Sequence, residues 1–261
     1  MDMIKKILSE IIKLISTKVF LIVAVIMIPI QSALAYISAR QILSVGLDAV
    51  PTEDNGLIEA MPPIEYFGFD VVMLSVMALI VLGAIFGAME YKRHCMRTTL
   101  VYMGNRRDLL ISKTSAVVLL AFALSLISVF TTILVTHLTF GGQGLPLVVF
   151  NSTVWKFILS TSISLTAVTV LSYAMGFIFK TSIVPMIFLI VQAYNIGELL
   201  ASKFSICRYL PIHLSNSLIP SSPDIYSEVP VRTFLILLAW ILIFMVTGYV
   251  MFSRKDLRGE Y

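Results

Sequence analysis

Charge is scarce in this sequence. Asp, Glu, Lys and Arg make up 13% of its 261 residues, about half their share in a soluble domain. Hydrophobic residues reach 58% and mean hydropathy is +0.95. So few charges cannot coat a water-soluble surface of this size, so lipid must solvate the apolar excess. Cysteine is rare as well. Cys95 and Cys207 fall in connectors on opposite sides of the membrane, so they are not expected to pair within one chain. His94, His137 and His213 lie in three separate connectors, which argues against a shared metal site. No G-x-x-x-x-G-K-[ST], H-E-x-x-H or G-x-S-x-G occurs, so phosphate-loop, zinc-peptidase and serine-hydrolase chemistry have no motif here. The chain is not expected to be an enzyme by itself, and no catalytic residue, metal ligand or cofactor is assigned to it.

Charge is nearly absent from the apolar stretches themselves. Ion-coupled transporters keep acids, His or Lys within the membrane to mark the ion path. Here the clearest candidate is Glu198, which reads either as a coupling acid or as a side chain reaching the outer headgroups. A channel filter, an internal repeat and a second soluble domain are all lacking.

What is present is length. Six apolar stretches can each cross a bilayer: Val19–Ile37, Val71–Ala88, Thr114–Thr136, Phe157–Phe179, Ser182–Leu200 and Thr233–Phe252. Pro185 near the start of the fifth is tolerated in a first helical turn. The expected fold is an all-α membrane protein, one transmembrane domain over residues 1–261. Residues 1–18, "MDMIKKILSEIIKLISTK", place Ile4, Ile7, Leu8, Ile11, Ile12, Leu14 and Ile15 on a helical stripe mostly opposite Lys5, Lys6, Glu10 and Lys13. That pattern predicts an amphipathic helix in the interface plane. "SALAY" at Ser32–Tyr36 also mimics a signal-peptide cleavage site, but five later spans favour the interfacial helix.

A net charge of +4 and a pI near 9.0 would suggest nucleic acid in a soluble protein, but in this chain the loop cations set orientation and no nucleic-acid partner is expected. With the N-terminus inside, Lys5, Lys6, Lys13, Lys18, Lys92, Arg93, Arg97, Arg106, Arg107, Lys113, Lys180, Arg254, Lys255 and Arg258 are cytoplasmic. Only Arg40, Lys156, Lys203, Arg208 and Arg232 are outside. This bias predicts a multi-pass cell-membrane protein with both termini in the cytoplasm. The first outer loop holds Asp48, Glu53, Asp54, Glu59 and Glu65 and reads as a solvated loop. The outer segment 201–232, rich in proline and apolar residues, reads as short helices resting on the membrane surface.

Two sets of span residues are polar. Ser162, Thr166, Thr169 and Tyr173 share a face of the fourth span, either to pack helices closely or to line a path. Gln192, Tyr194 and Asn195 in the fifth are costlier in lipid and should face protein or a cavity, which makes them the leading path-facing cluster. Gly83 and Gly87 form a G-x-x-x-G suited to helix contact.

The inner connector "MEYKRHCMRTTLVYMGNRRDLLISK", Met89–Lys113, concentrates charge. Within it Met96, Leu100 and Met103 recur at i, i+4 and i+7, giving a short helix with an apolar face that Gly104–Asn105 breaks. Cations alone would suffice for topology, whereas an apolar knob rimmed by charge suits a groove on a partner protein. The pattern Glu90, Arg93, Arg97–Thr98–Thr99–Leu100, Arg106–Arg107, Leu109–Leu110 and Lys113 resembles the first cytoplasmic loop of type II ABC exporter permeases. Where that family has a Gly before the Thr and a Pro further on, this chain has Arg97 and Met103–Gly104.

The resemblance implies a coupling helix within 90–113, seated in a cleft of a separate ATP-binding subunit that carries ATP and Mg. Glu90 would anchor the inner end of the second span. Arg93, Arg97, Arg106 and Arg107 would contact the ATPase or lipid phosphates, and Met96, Leu100 and Met103 would fill its groove. It further implies a second permease copy, identical or related, and a bacterial exporter of amphipathic peptides such as lantibiotics. An ion-coupled secondary transporter and a non-pumping receptor or immunity protein are the alternatives.

Overall fold

The structure is a computed structural model that describes residues 3–47, 49, 60–89, 91, 105–147, 149–193, 199, 202–220 and 230–254. Helix α1, Met3–Ile15, comes first. Thr17 then caps the next helix, its hydroxyl accepting from the Phe20 N–H at 3.2 Å. That helix, α2, runs over Lys18–Val45 with a π-helical turn at Ile26–Ile30 around Pro29. Proline removes a helical N–H, and in a membrane a neighbouring side chain must cover the disturbed backbone. Ser128 reaches the same turn, donating to the Met27 carbonyl at 2.6 Å.

Two 3₁₀ turns, Ile64–Tyr66 and Asp70–Val72, lead into α3, Met73–Met89. Gly68 between them takes φ +89°, a conformation that favours glycine, and lets the flanking Phe67 and Phe69 both turn inward. Next come α4, Arg106–Phe140, and α5, Ser152–Phe179. Lys180 ends α5 in the left-handed region at φ 55°, and α6, Ile183–Val191, returns from that turn. A 3₁₀ turn at Ser205–Tyr209, the short α7 at Pro211–Asn216 and α8 at Pro230–Arg254 complete the described chain.

Among the described residues, five helical segments are long and apolar enough to cross a membrane: Lys18–Val45, Ile64–Met89, Arg107–Gln143, Ser152–Phe179 and Val231–Phe252. The chain is therefore a multi-span, largely helical membrane protein. The expected span at Ser182–Leu200 is described as helix α6 only to Val191, and Tyr194–Glu198, Leu200 and Ala201 lie outside the described residues.

The buried share of each apolar segment sets the order of the bundle. It is 83% for α5, 67% for the segment containing α3 and 50% for α4, but 22% for α2 and 11% for α8. So α5 is the central helix, and α2 and α8 are peripheral. Contact between α3 and α5 is close because both present glycine. A Cβ at Gly83 would lie 2.3 Å from the Thr169 carbonyl oxygen, one at Gly87 2.3 Å from that of Tyr173, and one at Gly176 2.7 Å from that of Ala84. Small residues that let backbones meet are a main source of helix association in lipid.

Residues 211–220 depart from the surface-resting expectation, while Phe204, Ile206 and Tyr209 before them are exposed. Ile212 and Ser215 are fully buried and Leu218 nearly so. Ser164, midway along α5, donates to the Ser215 carbonyl at 3.1 Å, and Ser160 donates to that of Leu218 at 3.2 Å. Trp240 of α8 donates its indole N–H to the Tyr209 carbonyl at 2.9 Å. Prolines shorten these helices, and α5 and α8 take up the carbonyls left over.

Gly87→Val should be overpacked by about 1–3 kcal/mol. Its apparent unfolding temperature in detergent should fall by several degrees. Gly142→Ala, where an added Cβ meets nothing within 4 Å, should match wild type in the same assay.

Candidate functional site

Helix α1 has three faces, each with its own surroundings. At about 100° per residue, Ile4, Leu8, Ile12 and Ile15 share one side, and all four are exposed. Lys5, Ser9 and Ser16 fall on a second exposed side. Lys6, Glu10 and Leu14 fall on a third, which is buried. Such a helix suits a corner where bilayer, water and protein meet.

The buried face of α1 is held by charge. Lys6 Nζ donates to Asp108 Oδ2 at 2.7 Å, and Lys113 Nζ donates to Glu10 Oε2 at 3.1 Å. Lys13 approaches the same Glu10 oxygen at 3.6 Å. Lys113 and Glu10 side chains are 2% and 6% exposed, so the pair is inside the protein and not on its surface. A buried ion pair contributes little net stability, but removing either member strands a charge. The arrangement therefore fixes where α1 docks more than how firmly the whole bundle holds.

These contacts revise the boundary of the coupling connector. Residues Arg106–Lys113 belong to the first turns of α4, not to a loop. Asn105 starts that helix, its side chain accepting from the Arg107 N–H at 3.2 Å. Lys113 turns inward to Glu10, its side chain 2% exposed. Arg107 is exposed and donates from Nε to the Tyr249 hydroxyl at 3.1 Å. For Arg106 the backbone alone is described. Glu90, Arg93, Met96, Arg97, Thr98, Thr99, Leu100 and Met103 lie outside the described residues.

Both ends of the connector are nonetheless placed. The Tyr91 ring lies tilted against Phe177 at 5.4 Å between ring centroids, and the Lys180 ammonium sits 5.3 Å from the Tyr91 ring. Leu109, Phe177 and Phe252 form a small apolar cluster beside them. The last residues of α3, the first turns of α4 and the ends of α5 and α8 thus converge at one end of the bundle, where α1 also docks.

Three hydroxyls of α5 bond back along their own helix. Ser162 donates to the Ile158 carbonyl and Thr166 to that of Ser162, both at 2.7 Å, and Thr169 to that of Leu165 at 2.8 Å. Ser172, on the same helix, donates across to the Ile80 carbonyl of α3 at 2.6 Å. Thr169 and Ser172 therefore stand at the close α3–α5 contact.

Gln192 is buried, and its amide donates to the Phe188 carbonyl at 2.9 Å. Its Oε1 has no partner among the described residues. The adjoining Ala193 lines a groove of about 710 Å³ between α2 and α3, together with Ser38, Gln41 and Asp70. Tyr194 and Asn195 lie outside the described residues.

A polar cluster that the sequence reading passed over lies deeper. Gln31, fully buried in α2, donates to Thr132 Oγ1 at 2.9 Å and accepts from Ser75. Ser128 and Thr132 continue the set along α4, Thr132 donating to the Ser128 carbonyl at 2.8 Å. One glutamine two residues after a proline, inside an apolar run, was the available signal. Amides in lipid need partners on neighbouring helices.

Among the described residues no three of His, Cys, Asp and Glu gather as metal ligands. No protein-family model matches the chain, and no curated protein does either.

Lys113→Met should lose roughly 3–5 kcal/mol, the usual cost of stranding one buried charge, with the lower end expected because Lys13 also reaches Glu10. Glu10→Gln added to Lys113→Met should restore part of that loss. Apparent unfolding temperatures of the two single variants and the double variant check this, and additive losses would mean the pair is not coupled.

Proposed function

We propose that this chain is the membrane-spanning permease subunit of an ATP-driven ABC exporter, working with a separate ATP-binding subunit and a second permease copy. The carrying observation is the joint held by α1 at the mouth of the connector. Asp108 and Lys113, in the first turns of α4, are bound to Lys6 and Glu10 of α1. Force applied to residues 92–104 enters α4 at Asn105 and reaches α1 within two helical turns. Connected, discretely packed elements of this kind are what a rocking motion needs to pass from a docked motor into spanning helices.

On this reading Met96, Leu100 and Met103 fill the partner's groove, and Glu90, Arg93, Arg97, Thr98 and Thr99 surround that contact. Both termini and the connector are cytoplasmic, in keeping with the excess of Lys and Arg at that end. The groove beside Gln192 is the proposed substrate cleft. Its lining combines Leu34, Ile37, Met73 and Met77 with Ser38, Gln41 and Asp70. That mixture suits an amphipathic peptide better than a small ion.

Gentle purification of the tagged chain from its native membrane should bring down a protein with Walker motifs. Leu100→Asp/Met103→Asp should still insert and should lose that protein. If a stable wild-type chain brings none under several mild conditions, the permease reading fails and a non-pumping receptor takes its place.

A further inference from the structure

A second groove, of about 360 Å³, lies between α4, α5 and α8 at the end of the bundle where α1 docks. Its walls include Leu110 and Ile111 of α4 and Val246 and Tyr249 of α8, with Tyr173 and Phe177 of α5 between them. The lining is almost wholly carbon. Because α4 and α8 are spanning helices, the trough lies along the hydrocarbon and its mouth reaches headgroup level.

A cation stands at that mouth. Arg107 precedes Leu110 and Ile111 by three and four residues on α4, which puts all three on one helix face. Its Nε donates to the hydroxyl of Tyr249, a wall residue, at 3.1 Å. A guanidinium has five N–H donors, so most remain for a ligand. Among the described residues no carboxylate is paired with Arg107, and the adjacent Asp108 is engaged by Lys6 at 2.7 Å.

We propose that this groove is a binding site for an anionic phospholipid of the surrounding bilayer. One acyl chain lies in the trough, and the phosphate sits on Arg107 and the Tyr249 hydroxyl. Charge complementarity selects the occupant. A planar guanidinium binds phosphate oxygens in pairs, and basic pockets between spanning helices hold acidic headgroups. A zwitterionic lipid offers the same phosphate but brings its own ammonium, so net charge decides the preference. The site does not rest on the permease reading, and its test involves no ATPase.

The full chain would be purified in micelles with equal phosphatidylglycerol and phosphatidylcholine, and retained lipid counted by native mass spectrometry. Wild type should keep phosphatidylglycerol over phosphatidylcholine by about fivefold, the effect of one cation near the surface. Arg107→Gln should bring the ratio close to one, while Arg107→Lys keeps most of the preference. Val246→Trp, at an exposed wall position, should reduce retention of both lipids alike. A wild-type ratio near one, or an unchanged ratio in Arg107→Gln, overturns the site. So does full retention in Val246→Trp, because the trough would then take no part. A second protein chain in place of lipid would overturn it too.

Discussion

Gly83 and Gly87 bring α3 so near α5 that a methyl group at either would stand 2.3 Å from a carbonyl oxygen. In lipid this matters more than in water. Acyl chains are as apolar as leucine, so helices gain nothing by hiding from them and must be joined by contact. Dispersion energy grows with the number of atoms in contact, and two backbones at that range make many. The pairing makes α5 the axis of the bundle. Helix α4 and the short α7 lie against it, and α8 completes the wall. Ser172, which donates to the Ile80 carbonyl, adds a hydrogen bond between the helices that the glycines bring together.

With that axis set, many buried hydroxyls and amides meet a partner on a different helix or one turn back on their own. Ser128 covers a carbonyl at the proline turn of α2, and Gln31 reaches α3 through Ser75 and α4 through Thr132. These bonds cross the bundle where apolar side chains alone would let α2 slide. Amide and hydroxyl pairs between spanning helices contribute modestly, about 0.6–2 kcal/mol each. Their geometry nonetheless fixes register, because a one-turn shift would leave Gln31 facing carbon.

What could be read from the sequence was local. Apolar runs marked five of the described spans, and the spacing of Gly83 and Gly87 marked a helix contact. The start of α4 at Arg106 did not show, because Arg106–Lys113 reads as part of a charged connector. The isoleucine stripe of α1 was visible too, since it depends on neighbours three and four residues apart. What escaped depends on distant pairs. Nothing near Lys113 in the sequence shows that it reaches Glu10, 103 residues earlier. Residues 211–220 have proline and apolar content that fits a surface helix equally well. Only the carbonyl-seeking hydroxyls of Ser160 and Ser164 on α5 show them to be packed inside.

The two ends of the connector are held differently, and this bears on what a docked partner could move. At Tyr91 the hold is a ring contact with Phe177 and a cation over the ring. Such contacts tolerate sliding, since they are broad in geometry and small in energy. At α4 the hold is a helix cap followed by two ion pairs, one of them buried, which need specific distances. On the permease reading, a displacement of residues 92–104 is transmitted at the α4 side through that cap and those ion pairs. Helix α3 is in any case locked to α5 by its glycines and resists moving separately. The path of least resistance is a shift of α4 with α1 against the α3–α5 pair. That shift would bear on the Gln31–Thr132 bond, because it joins α2 to the helix that moves. On the permease reading, the glycines that bind the bundle's axis thus leave α4 and α1 as the half that moves.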